Sequence, residues 1–111
     1  MNITGKYKGS GKCYGKKIST NINTVEKIQY KGNGFYEVNV SSILNNKQFK
    51  EVEKCVRTGK ELICVSTYRS DKHWPVLEKI TFVSPTKYIK VVQDLNKLNP
   101  NVCKLHYNKI K

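Results

Sequence analysis

The residues with most chemistry to offer are four cysteines, Cys13, Cys55, Cys64 and Cys103. Their number is even and none stands in the C-x2-C spacing of a zinc site, so oxidation in pairs is the chemistry to expect. Spacing alone allows three pairings, but strand register selects one. The run from Lys54 to Val65 reads as a hairpin folded at Gly59-Lys60, with Gly59 at the first position of a type II′ turn. Folding there sets Thr58 opposite Glu61, Arg57 opposite Leu62, Val56 opposite Ile63 and Cys55 opposite Cys64. The last pair falls in the closer, non-hydrogen-bonded class, near the lower end of disulfide reach. Cys13 and Cys103 remain, and a bridge between them ties the first strand to the last segment. Four free buried thiols are the alternative, but reducing compartments give no reason for so neat a cross-strand register. Oxidised pairs imply a secreted or periplasmic protein, the chain then being a mature form whose signal peptide has been removed.

The other reactive residues do not assemble into a catalytic pattern. His73 and His106 are the only histidines, and no motif links either to an acid or a hydroxyl. Gly11-Lys12 resembles the end of a phosphate loop, but no glycine stands five residues earlier and Cys13 replaces the hydroxyl residue. The dinucleotide pattern fails as well, because Tyr14 occupies its third glycine position. The expectation is a protein that is not an enzyme and uses neither metal nor cofactor.

Charge points to binding. The formal net charge is +13 on 111 residues, a positive field that attracts acidic macromolecules. Lysine supplies nearly all of it; Arg57 and Arg69 are the only arginines. Base-specific readout and tight phosphate clamping favour the planar guanidinium, so sequence-specific nucleic-acid binding is not expected. A lysine surface suits diffuse, salt-sensitive attraction to an acidic partner or a protein. Lys6, Lys8, Lys12 and Lys16 alternate along the first strand, and Trp74, in the loop-like His73-Trp74-Pro75, is either a plug over a sheet end or an exposed anchor. These five are the expected contact residues. Seven tyrosines interleave with the lysines, a pattern that serves base stacking only when rings and charges share a face. Tyr14 shares the lysine face, whereas Tyr7 points the other way.

The elements that must position these residues are mainly strands. Turn signals recur every 8–14 residues or so, the pattern of an antiparallel meander forming a small barrel or curled sheet. Strands are predicted near 5–18, 24–31, 35–43, 49–58, 61–69, 76–83 and 102–109, in one domain spanning 1–111. Tyr7, Gly9, Gly11, Cys13 and Gly15 share the inner face of the first strand, where small residues permit a sharp bend or close approach. Tyr36, Val38 and Val40 line the inside of the third. Val56, Ile63 and Val65 are expected to face inward from the hairpin, with the Cys55–Cys64 bridge outside beside Glu53 and Arg57, and His106 outward. Residues 84–98 admit two readings. Tyr88, Val91, Val92, Leu95 and Leu98 recur at helical spacing after a Ser84-Pro85 start, whereas the β-branched content favours a strand. The helix, about 84–98, is the reading adopted. No apolar run is long enough for a membrane span.

An opening Gly5-Lys6-Tyr7-Lys8-Gly9, a meander and a late helix tied back near a C-terminal cysteine resemble a short lipocalin-like (calycin) barrel. Tyr7 stands where that group's Gly-x-Trp signature has tryptophan. The resemblance implies non-enzymatic binding of a small apolar molecule in a barrel cavity, or of a protein.

Overall fold

A computed structural model describes residues 1–15, 20–44, 46–70, 76–94 and 101–110. Among these, eight antiparallel strands follow one another round a closed barrel: β1 (Gly5–Gly15), β2 (Thr20–Gly32), β3 (Phe35–Leu44), β4 (Lys47–Thr58), β5 (Glu61–Arg69), β6 (Val76–Ser84), β7 (Lys87–Asp94) and β8 (Asn101–Lys109). Each strand pairs with its sequence neighbours, and β1 closes the ring against β8.

Turn chemistry fixes the register at one end. Gly32, Asn33 and Gly34 all take positive φ between β2 and β3, and Gly59 (φ 63) leads the β4–β5 turn. The hairpin pairs as the sequence predicts, through Thr58–Glu61, Arg57–Leu62 and Val56–Ile63 to Cys55–Cys64. Both bridges are formed: Cys55–Cys64, with Cα atoms 4.1 Å apart, and Cys13–Cys103, with Cα atoms 3.9 Å apart. The second joins directly opposed residues across the closing seam. Two disulfides accord with an oxidising environment.

The seam explains the first strand's glycines. Gly9 lies opposite Tyr107 and Gly11 opposite Leu105. A Cβ on Gly9 would run into the Tyr107 ring, and one on Gly11 into the backbone at Lys104 and Leu105. The absent side chains therefore let β1 and β8 pack in close contact.

Two expectations are corrected. Residues 87–94, within the stretch read as a helix at about 84–98, form β7; residues 95–98 lie outside the described residues. The apolar positions fit a 3.6-residue repeat, but Tyr88 and Lys90 are buried while Val92 packs partly buried against the core, which is the two-residue repeat of a strand. The second correction inverts the hairpin. Val56, Ile63 and Val65 are 49%, 50% and 48% exposed, whereas Glu53, Cys55 and Cys64 are almost wholly buried. The β-branched side of the ribbon resembles a core face, but the interior contains a lysine whose charge requires Glu53 inside.

The inner faces stack from one end of the barrel to the other. At the end with the short turns, Tyr7, Phe82 and Tyr88 meet edge-on or tilted, with centroids 4.8–5.9 Å apart. Ile28, Val38, Leu62 and Ile80 complete this layer. The N-terminal segment crosses it: Ile3 is buried, Tyr7 donates its hydroxyl to the Ile3 carbonyl at 2.8 Å, and Arg57 donates to the Met1 carbonyl at 2.9 Å. The same guanidinium donates to the Tyr36 hydroxyl at 3.0 Å. Strand β1 begins and β8 finishes at this end.

Candidate functional site: the polar interior and its cavity

Among the described residues, four acids lie inside the barrel. Glu26, Glu51, Glu53 and Glu78 are each at least 95% buried, from strands β2, β4 and β6. Lys90 on β7 meets them. Its ammonium donates to Glu26 and, at 2.6 Å, to Glu53, and lies 3.7 Å from Glu78. Burial alone would lower the Lys90 pKa, but Glu26, Glu53 and Glu78 outweigh it and hold the ammonium well above its ordinary value. Lys90 is therefore a fixed internal cation.

Tyrosines complete the middle layer. Tyr88 donates to Glu26 at 2.6 Å, and Tyr107 hydrogen-bonds to Thr24 and reaches Glu26 at 3.3 Å. The two rings stack with centroids 4.6 Å apart. Burial and the Glu26 charge push both phenols upward, so they remain neutral donors.

The acids are not equivalent. Burial raises Glu53 well above the usual carboxylate value, opposed by Lys90 and reinforced by Glu78. Glu53 Oε1 and Glu78 Oε2 are both buried with no hydrogen-bond partner among the described residues. Glu51 is raised to about 7 by burial and by Glu78, against the pull of Lys90 and Arg69.

Arg69 reaches Glu51 because of a backbone irregularity. Register shifts between Val52 and Glu53, so Thr67 is an extra residue on β5 and Arg69 lies opposite Glu51. Without this bulge, alternation would aim Tyr68 inward; with it, Tyr68 is exposed and Arg69 lies 3.3 Å from Glu51. The guanidinium also sits 5.1 Å over the Phe49 ring.

Above this layer lies a cavity of about 100 Å³. Ile22, Val40, Phe49, Val92 and Leu105 form apolar walls; Glu51, Glu78, Lys90, Arg69 and Ser42 add polar groups. The Ser42 hydroxyl is buried and has no hydrogen-bond partner among the described residues. The cavity occupies the end where β1 joins β2, β3 joins β4, β5 joins β6 and β7 joins β8. Three acid oxygens, one each from Glu51, Glu53 and Glu78, lie within 4.8 Å of one another. Cys55 and Cys64 stand near Glu53, but their sulfurs are bonded to each other and are not available as ligands.

Of the expected contact residues, Lys6, Lys8 and Lys12 are exposed on the outer face of β1. Lys16 and Trp74 lie outside the described residues, as does His73. Tyr14 is 59% exposed on the lysine face and His106 points outward, both as predicted. Lys6 is directly opposite Lys27, and Lys12 opposite Lys104. Among the described residues, no acid is exposed on the outward side of β7, β8, β1 or β2. No helix among them is long and apolar enough to cross a membrane. The outward lysines fall along strand middles, where a lipid-facing barrel has an apolar band.

Sequence reasoning missed the interior site. The polar-outside rule places Glu26, Glu53, Glu78 and Lys90 on the surface. The available signal was the strand reading of residues 84–98, which puts Lys90 in phase with Tyr88 and Val92.

No protein-family model matches the sequence, and no curated protein matches it. Solved structures do. A redesigned β-barrel, b11L5F_LGL, aligns with a TM-score of 0.77 at 11% identity, over 98% of this chain and 92% of its own. A second, mFAP1 bound to DFHBI, gives 0.72 at 13% identity, covering 93% of each chain. EF1p2_mFAP2b bound to DFHBI gives 0.75 at 12% identity, over 96% of this chain and 94% of its own. The likeness is one of fold. It places the chain among small closed β-barrels, as the calycin-like resemblance implies.

Proposed function

We propose that this protein is an exported, non-enzymatic binder of a small ligand, held in the cavity between Phe49, Leu105 and the buried acids. The observation that carries this reading is the cavity itself. Tight packing would have filled that end with side chains, as it fills the other. The volume of about 100 Å³ is below the usual ~300–1,000 Å³ of drug-sized sites, so the ligand is small. Two of the similar barrels are described as bound to DFHBI, which supports this mode of use for the fold. Native mass spectrometry of protein purified from its own source, beside a Val92→Phe variant that fills the cavity, tests the reading. A bound small molecule present on the parent and absent from the variant is expected. An empty parent that takes up none of a panel of small amines, alcohols and acids would remove it.

A second reading concerns the outside. Like charges directly opposed across strands are destabilising, by roughly 0.2–1 kcal/mol for each pair. Lys6–Lys27 and Lys12–Lys104 lie on a face with no exposed acid among the described residues. An acidic macromolecule docking on Lys6, Lys8 and Lys12 offsets that repulsion, with Lys16 and Trp74 as neighbouring contacts in the sequence reading. Affinity for such a partner falls steeply with salt, whereas cavity binding of a small molecule does so only weakly.

A further inference from the structure

Among the described residues the interior contains four carboxyl groups, Glu26, Glu51, Glu53 and Glu78, and two basic groups facing them, Lys90 and Arg69. The acids thus outnumber the bases by two, and without a ligand protons must make up the difference. An unpaired buried carboxylate is too costly to persist. The shortfall is concentrated at the cavity. Lys90 makes its short contacts with Glu26 and Glu53, and Arg69 with Glu51, whereas Glu78 has only the longer approach of Lys90 at 3.7 Å. Beside them the Ser42 hydroxyl, 92% buried, lines the same space without a hydrogen-bond partner among the described residues.

Resting on the small-ligand reading above, we infer that the cavity receives a small protonated amine with a compact apolar body. Its ammonium lies among Glu51, Glu78 and the Ser42 hydroxyl, and its body lies against Ile22, Phe49 and Leu105. Acid oxygens within 4.8 Å of one another suit an ammonium, which donates three hydrogen bonds in diverging directions. The charge of one amine takes the place of one of the protons that the empty interior must hold. A carboxylate ligand adds a further anion to an acidic pocket and is excluded. A neutral ligand leaves the surplus acids unrelieved. A divalent metal ion suits the charge count less well in space, since Lys90 Nζ already stands 2.6 Å from Glu53 and 3.7 Å from Glu78. It also has no use for apolar walls on its far side.

The test measures binding of isobutylamine, benzylamine, isobutanol, benzyl alcohol and isobutyrate to the intact disulfide-bonded protein, by calorimetry and ligand-observed NMR at pH 8. Each amine is expected to bind at least tenfold tighter than its matching alcohol, and isobutyrate not at all. Glu51→Gln and Glu78→Gln should each weaken amine binding tenfold or more while changing alcohol binding less than threefold. Ser42→Ala, which leaves every charge in place, should weaken the amines about threefold to tenfold. Circular dichroism and melting of each variant identify any loss that is mere unfolding. Alcohols binding as tightly as amines would overturn the inference and leave the small-ligand reading standing. Calcium or zinc chloride displacing the amines at equal or lower concentration would also overturn it, in favour of a metal. Failure of every probe to bind the folded parent would remove both readings.

Discussion

The two ends of the barrel solve different problems with the same strands. At the short-turn end, Tyr7, Phe82 and Tyr88 pack against one another, and their polar atoms find partners: the Tyr7 hydroxyl on the Ile3 carbonyl and the Tyr88 hydroxyl on Glu26. At the other end, Ser42 has no hydrogen-bond partner among the described residues, Glu51 and Glu78 share too little positive charge, and a cavity lies beside them. Among the described residues, one end satisfies its polar groups and the other leaves Ser42 Oγ and Glu78 Oε2 without hydrogen-bond partners. The fully packed layer and the proposed ligand site therefore lie at opposite ends, separated by the Lys90 layer.

Experiments that remove parts from each level should break this contrast in graded fashion. The largest effect is expected at the seam beside the cavity. Replacing Cys13 and Cys103 with serine opens a loop of 90 residues and should cost about 4–5 kcal/mol in urea unfolding. The same treatment of Cys55–Cys64, separated by 9 residues, should cost only about 2–3 kcal/mol. Hydrogen exchange should locate the added openings of the first variant at the cavity ends of β1 and β8.

Next comes the layer between the ends. Lys90→Met leaves Glu26 and Glu53 without their cation and should destabilise by about 3–5 kcal/mol. A loss below ~1 kcal/mol would mean that the interior acids are already neutral, and the division between the ends would lose its electrostatic basis.

The third prediction sharpens the contrast through pH. Glu51 faces Glu53 on its own strand, Ser66 and Arg69 on β5, Glu78 on β6 and Lys90 on β7. Its pKa is raised from 4.5 to about 7, so the native protein keeps a proton that the unfolded chain has already released within that interval. Stability due to this group is then complete at the acid side and lost as pH rises from about 5 to 8, by about 3 kcal/mol. Glu53 acts in the same direction. Melting temperature should fall over this range in the parent and fall less in Glu51→Gln. A melting temperature that rises instead would refute the assignment.

The smallest effect belongs to the satisfied end. Tyr7→Phe removes one hydroxyl from the Ile3 carbonyl and should cost about 1 kcal/mol, leaving amine or alcohol binding unchanged. A binding change there would show that the ends communicate.

The contrast also shows which parts of the molecule could be read from the sequence. Where local rules act alone, they sufficed: Gly59 with its positive φ set the hairpin register, and alternation in β1 separated Tyr7, Gly9 and Cys13 from Lys6, Lys8 and Lys12. Both disulfides followed from that register. The interior acids were illegible because burying Glu26, Glu53 and Glu78 makes sense only once Lys90 is seen among them, and these residues are remote in sequence. Reading β7 as a helix hid that lysine. The bulge at Thr67 has no sequence signal at all, yet it decides that Arg69 rather than Tyr68 meets Glu51. Outward Val56, Ile63 and Val65 misled for the converse reason, since β-branched residues favour strands whichever side they face.

Strand β1 begins and β8 finishes side by side at the aromatic end. Anything attached to either terminus, whether an affinity tag, a fluorophore or a surface linker, therefore departs from the side remote from the cavity. Immobilised by either terminus, the barrel would present its cavity end to the solution.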